Sequence, residues 1–183
     1  MKLAHRIFLL GALCQLSWAL GGCGYTTRSM IHDRFKTIHI AAFVNKIDIT
    51  SDSDSANKYR IYRPGLETDV TKAVIDKFLS DGNVRPAKFE SADLHMTGEL
   101  VEFRRDPLRY DEDDNVIEYR LNLAVNLSLW DQKENKLLWE ENNFTGDAAY
   151  YTSGTLAKSE DAAIHDALDD LARRIVERVV EQW

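Results

Sequence analysis

Residues 117–130 read Ile-Glu-Tyr-Arg-Leu-Asn-Leu-Ala-Val-Asn-Leu-Ser-Leu-Trp, with an apolar side chain at every odd position from Ile117 to Leu129. Side chains alternate across a strand, so a period of two this regular means one packed face and one polar face. The even positions, including Arg120, Asn122, Asn126 and Ser128, make the polar face. At about 3.3 Å per residue the strand spans roughly 45 Å, longer than most. A sheet with one apolar face needs a second layer to cover it.

Two helices on either side in sequence can supply that layer. Leu66, Val70, Val74 and Phe78 recur every four residues, with Ala73 and Ile75 widening the stripe. Pro64 suits the start of this helix and Asp81-Gly82 its end. The second helix covers about 159–182, with Ile164, Leu168, Leu171, Ile175 and Val179 as its stripe. Its acids, Glu160, Asp161, Asp166, Asp169 and Asp170, precede Arg173, Arg174 and Arg178, an order that complements the helix dipole. By the same helical spacing Trp183 belongs to the core rather than to a barrel-type terminal strand.

Three further strands complete the pattern. Lys36 to Phe43 alternates Ile38 and Ile40 with polar neighbours, and Ala92 to about Arg104 sets Leu94, Met96 and Leu100 on one side. Beyond Leu100 the apolar positions move to Val101 and Phe103, which predicts a bulge near Gly98. Asp131 to Asn135 turns the chain into a last strand, 136–150, where Leu137, Leu138, Trp139 and Phe144 leave the register open. The order is β-α-β-β-β-α. The expected fold is α+β: a two-layer sandwich of a four-stranded mixed sheet with both helices packed on one face. Hairpins join the last three strands, and the first lies parallel to its neighbour across a right-handed helical crossover.

At the N-terminus, Lys2 and Arg6 precede an apolar run from Ile7 to about Leu20, which ends in Leu20-Gly21-Gly22-Cys23. Charge, apolar core and small residues make a secretory signal, and the cysteine behind them makes it a bacterial lipoprotein signal. The apolar core is too short for a spanning helix and is broken by Gln15 and the glycine pair. Residues 1–22 are therefore the expected leader, 23–35 a lipid-anchored tether and 36–183 a single domain. Cys14 is discarded with the leader, so Cys23, acylated, is the last cysteine and no disulfide forms. Two or more acyl chains hold a protein at a bilayer, and Gly24 in place of Asp points to the outer membrane by the Gram-negative sorting convention.

The formal net charge of −7 becomes more negative when Lys2 and Arg6 leave with the leader. So acidic a chain lacks the basic footprint that nucleic-acid binding needs. Asp48 to Asn57 is rich in Ser and Asp and reads as a loop. Its Asp48, Asp52 and Asp54 lack the glycine and late glutamate of a calcium loop. His32, His39, His95 and His165 form no zinc spacing. No nucleophile elbow or phosphate-cradling loop occurs, and His165 and Asp166 are helical neighbours that do not face each other. No enzyme, metal or cofactor is indicated.

One stretch is unusual: Arg104-Arg105-Asp106-Pro107-Leu108-Arg109-Tyr110, followed by Asp111-Glu112-Asp113-Asp114. It reads either as a solvated, salt-bridged hairpin end or as a recognition tip. In the second case Arg104, Arg105 and Arg109 would grip phosphates or carboxylates. Exposed ion pairs are common and the acids would repel an anion, which favours the first reading.

Leu20-Gly-Gly-Cys23 followed by Gly24-Tyr25, then Phe43-Val-Asn45, Pro64-Gly-Leu-Glu67 and Thr71, resembles the LPS-assembly lipoprotein family, LptE, in order along nearly the whole mature chain. The resemblance implies a small α+β lipoprotein on the periplasmic side of the outer membrane. It would plug the lumen of a large β-barrel of LptD type, aid its folding and help deliver lipopolysaccharide to the cell surface. The polar face of residues 117–130 would suit a wet lumen as well as it suits water. The basic residues proposed to bind lipopolysaccharide in some members have no counterpart here, which leaves the arginine tip as the candidate. The rival reading is an accessory lipoprotein of another envelope transport or secretion complex, separable by whether a barrel or an inner-membrane complex co-purifies. A lipoprotein hydrolase is disfavoured by the missing catalytic constellation.

Overall fold

The computed structural model describes residues 34–48 and 59–180. The leader, Cys23, Asp52, Asp54 and Trp183 lie outside the described residues. The strands are β1 (Thr37–Ile40), β2 (Val44–Asn45), β3 (Arg85–Pro86), β4 (Leu94–Tyr110), β5 (Val116–Asp131) and β6 (Lys136–Tyr151). Helix α1 is Leu66–Asp81 and α2 is Glu160–Val180. The sheet is mixed: β1 runs parallel to β3 and β4, β2 runs parallel to β4, and β4, β5 and β6 are antiparallel. The order is β3-β1-β4-β5-β6, with β2 also on β4. The expectation of four strands is corrected to six. The two extra strands, β2 and β3, are two residues each, too short to show a period.

The inward parity of β5 is the one its alternation predicts: Leu121, Leu123, Val125, Leu127 and Leu129 are all buried. Both helices cover that side. Leu66, Val70, Val74 and Phe78 are sealed on α1, and the whole predicted stripe of α2 is buried in the same cluster. Gly82 closes α1 with φ 77°, donating its N–H to the carbonyl of Phe78 at 3.1 Å. That left-handed turn is cheap for glycine alone. Thr71 ties α1 to the strand layer: its hydroxyl accepts the Phe43 N–H at 2.9 Å.

Two glycines set how closely the layers approach. A Cβ on Gly98 would lie 2.2 Å from the Phe43 ring, and one on Gly146 would lie 2.5 Å from the Leu171 Cα. Gly98 is therefore a bed for Phe43 and not a bulge. The bulge is three residues on, between Leu100 and Glu102, where the buried parity passes from Leu100 to Phe103. A second irregularity explains the ambiguous register of β6. Two residues, Asn142 and Asn143, stand opposite Asn126, with Asn143 at φ 54° and its N–H held by the Asn126 Oδ1 at 3.0 Å. Such a bulge moves the inward set from Trp139 to Gly146 and Tyr150.

Strand β4 runs six residues past the predicted end, through Pro107 to Tyr110. Among the described residues, the segment at Arg60 and Ile61 accompanies its outer edge, with the Ile61 N–H on the Phe103 carbonyl at 2.9 Å. Pro107 sits beyond that contact and is tolerated because an edge needs no donor there. Along β6, side chains of α2 reach the outer backbone. The Asp147 N–H donates to Asp170 at 3.1 Å, and the Arg174 guanidinium donates to the Thr145 carbonyl.

The end where the chain enters β1 is built on two carboxylates. Asp131, 2% exposed, accepts the N–H groups of Lys133 and Glu134 and the Arg34 guanidinium at 2.9 Å. Asp93 accepts from the backbone of Lys36 and Thr37, the Thr37 hydroxyl and the Lys133 ammonium at 2.7 Å. Burial opposes the charge of Asp93, but these donors outweigh it and hold its pKa at about 2, below the ordinary 3.8. The folded value is the lower one, so the stabilisation is complete above about pH 4 and is lost as pH falls towards about 2. Asp93→Ala is expected to lower stability by about 1–3 kcal/mol at neutral pH, because it strands the Thr37 donors. Urea melts check this: the gap between the two proteins should close as the pH is taken down through that window.

Candidate functional site

Arg104, Arg105 and Arg109 do not form the loop tip that the sequence suggested, because all three lie within β4. The turn itself is Asp111 to Asn115. There the Asp111 carboxylate accepts the N–H groups of Asp113 and Asn115 at 3.0 and 2.8 Å. The Asn115 N–H, opposed by burial and joined by the Asn115 side chain and the Asp113 N–H, pulls the Asp111 pKa below its usual value. One of the four acids thus serves the turn rather than repelling a ligand.

The alternation of β4 splits the arginines between the two faces of the sheet. Arg105 points to the helix side, where it pairs with Glu160 at the start of α2 and lies over the Tyr119 ring, 5.0 Å from its centroid. Tyr150 donates to the same Glu160 carboxylate at 3.3 Å. Burial, then the neighbouring Glu160 charge, push the Tyr150 phenol above its ordinary pKa. Arg104 lies on the open face between Glu102 and Asp106, at 3.4 and 2.7 Å. Arg109 reaches Glu118 at 3.3 Å and sits 5.9 Å from the Tyr151 ring centroid. With Arg120 and Asp147 at 3.8 Å, the open face carries charges of alternating sign from strand to strand. Exposed pairs of this kind contribute about 0–1 kcal/mol each. Arg109 is the most open of the three, with 61% of its side chain exposed.

A cleft of about 320 Å³ opens beside Arg105, between the Tyr59–Ile61 segment and the end of β4 and β5, with Arg60, Tyr110 and Tyr119 on its walls. Guanidinium groups among aromatic rings can hold anionic or sugar groups by ion pairing and stacking. Tyr62, Leu108 and Tyr110 are exposed at the same end. Sequence reasoning found Arg105 but missed Tyr59, Arg60 and Tyr119. Nothing in the sequence says that the segment before α1 returns to β4.

The opposite end of the open face carries a feature the sequence did not flag. In register, His39 of β1 faces His95 of β4, which faces Trp130 of β5. The two imidazoles stack with centroids 5.3 Å apart, and Phe89 meets both edge-on at 5.4 and 5.0 Å. Both histidines lie in strands, as predicted, but their stacking depends on a register that one sequence does not reveal. Among the described residues no cluster of three metal-type ligands occurs. No described helix is long and apolar enough to cross a membrane, which says nothing of strands.

A family model described as lipopolysaccharide-assembly, LptE, matches residues 35–179. No curated protein sequence matches the chain. Among solved structures, a hypothetical protein of Chlamydia trachomatis superposes with a TM-score of 0.51 at 14% identity, covering 79% of this chain and 95% of the other. A protein of Xanthomonas campestris gives 0.50 at 11% identity, over 80% and 82%. A minor lipoprotein of Acinetobacter baumannii gives 0.46 at 18% identity, over 80% and 93%. At these identities the likeness concerns the fold alone.

Proposed function

The chain belongs to the lipopolysaccharide-assembly lipoprotein family LptE, and on that premise we propose that it is anchored to the outer membrane through acylated Cys23. From there it assembles with a β-barrel of LptD type, fills its lumen, aids its folding and helps deliver lipopolysaccharide to the cell surface. The family match over nearly the whole domain carries this reading. Three features support it. The leader ends in a lipobox. The α+β domain has the element order the resemblance implied, extended by two short strands. The open sheet face is polar, with Asn122, Asn126 and Ser128 only partly exposed, and suits a water-filled lumen. The protein acts by holding and positioning, not by catalysis.

We assign partner or glycolipid contact to the arginine end of β4, with Arg109 foremost because its guanidinium is the most open. Arg104 and Arg105 stand behind it on opposite faces, and Arg105 also borders the aromatic cleft.

The deciding experiment purifies the full-length lipoprotein from outer membranes in mild detergent and identifies what accompanies it. A stoichiometric β-barrel is the expected result. Its replacement by an inner-membrane transport complex would move the protein to the rival class of envelope accessory lipoproteins. Arg104, Arg105 and Arg109 changed together to Ala should leave the melt within about 1–2 kcal/mol of wild type, since only partly exposed pairs are lost. The same variant should weaken recovery of the barrel or of labelled lipopolysaccharide. Unchanged recovery of both would return these arginines to a purely structural role.

A further inference from the structure

We propose that the stacked pair His39–His95, with Phe89 closed over both rings, is a pH-sensitive latch that holds the β3 end of the sheet shut at neutral pH and loosens it in acid. The geometry carries the argument. Phe89 belongs to a single 3-10 turn, Phe89–Ser91, that follows β3, and 44% of it stays exposed. Its ring contacts with the two imidazoles close a segment that is otherwise held by backbone bonds and by the Thr37 hydroxyl, which donates to the Ser91 carbonyl at 3.4 Å. The Arg85 N–H donates to Lys36 at 2.9 Å and the Ala87 N–H to Ile38 at 2.8 Å. The Ala87 carbonyl lies 3.3 Å from the His39 Nδ1. The imidazoles and those bonds therefore meet in one small segment.

Protonation of His95 works against this arrangement. The His95 Nδ1 is buried and has no hydrogen-bond partner, so a proton placed there would find no acceptor. The stacked His39 ring stands directly beside it and disfavours a charge on His95. The groups that face the pair are Phe89 from the turn and, in register on β5, Trp130; the charged residues flanking Phe89 are Lys88 and Glu90. Asp93, two residues before His95, is already held by Lys133 and Thr37. Among the described residues no carboxylate forms an ion pair with either ring.

In agreement, burial first and His39 second depress the His95 pKa below its ordinary 6.5. A folded value below the unfolded one means the contribution is complete above about pH 6.5 and is lost as pH falls through the lowered value. Loosening the turn would expose the outer edge of β1, which β3 now covers, and an uncovered edge can accept another strand.

The test is amide exchange on the mature full-length protein at about pH 7.5 and about pH 5.5, corrected for intrinsic rates, which span the ordinary histidine range. Protection at Arg85, Ala87 and Ser91 should fall severalfold in acid while Leu123 and Val125 in β5 hold. His95→Phe and His39→Phe each keep an aromatic ring in the stack and should flatten that difference. The latch is overturned if the β3 segment shows no pH dependence beyond that of β5. It is equally overturned if the dependence survives in both variants.

Discussion

Leu171→Asp is expected to abolish the cooperative thermal melt. Leu171 is fully buried at the centre of the α2 stripe, with its backbone against Gly146 of β6. Deleting a buried leucine side chain costs about 2–5 kcal/mol, and a carboxylate with no partner at that depth adds a desolvation penalty of several kcal/mol more. A domain of this size has only about 5–15 kcal/mol of net stability. The sum therefore reaches the threshold for unfolding. Leu79→Asp is the control: Leu79 is on α1, 61% exposed, and should shift the melt little. A Leu171→Asp protein that melts like wild type would mean that α2 does not lie on the sheet as described.

The second large effect needs only one methyl group. Gly146→Ala places a Cβ 2.5 Å from the Leu171 Cα and 2.6 Å from its backbone nitrogen. Backbone cannot rotate away as a side chain can, so α2 must lift from β6. Overpacking typically costs about 1–3 kcal/mol, and because here a whole helix must move, we expect about 3 kcal/mol or more. Gly98→Ala makes the informative comparison. Its Cβ also collides, but with the rim of the Phe43 ring, which can swing aside. We expect a loss nearer the lower end, about 1–2 kcal/mol. Urea denaturation of the pair checks the order; Gly98→Ala being the more damaging would contradict the rigid seating of α2.

Legibility in the sequence followed the range of each interaction. The α2 stripe, the α1 stripe and the odd positions of β5 were plain, because burial repeats at a fixed local period. The strands β2 and β3 were invisible: each is two residues long and exists only because β4 or β1 lies beside it. The bulge after Leu100 showed itself as a parity shift, but Gly98 drew attention to the wrong residue. Its bareness serves Phe43, fifty-five positions earlier. The arginines were found as residues and misplaced as a loop, since Pro107 looks like a strand end and becomes harmless only on a free edge. The histidine stack and the tyrosine-lined cleft depend on register between distant segments. Periodicity within a single chain carries no information about that.

The hydrogen bonds that Asp170 and Arg174 send to the outer backbone of β6 bear on how this protein keeps company. A long terminal strand invites any passing β-strand to dock, in this chain's own copies or in an unfinished barrel being built nearby. Here the donor of Asp147 and the acceptor of Thr145 are already satisfied from within, as is the carbonyl of Tyr151 by the Lys158 N–H. Along that stretch three of the backbone groups that a docking strand would need are already taken, which blunts it as a template for polymerisation. In the assembly proposed above, that favours contact with a β-barrel through side chains on a face, which can part without unzipping a shared sheet.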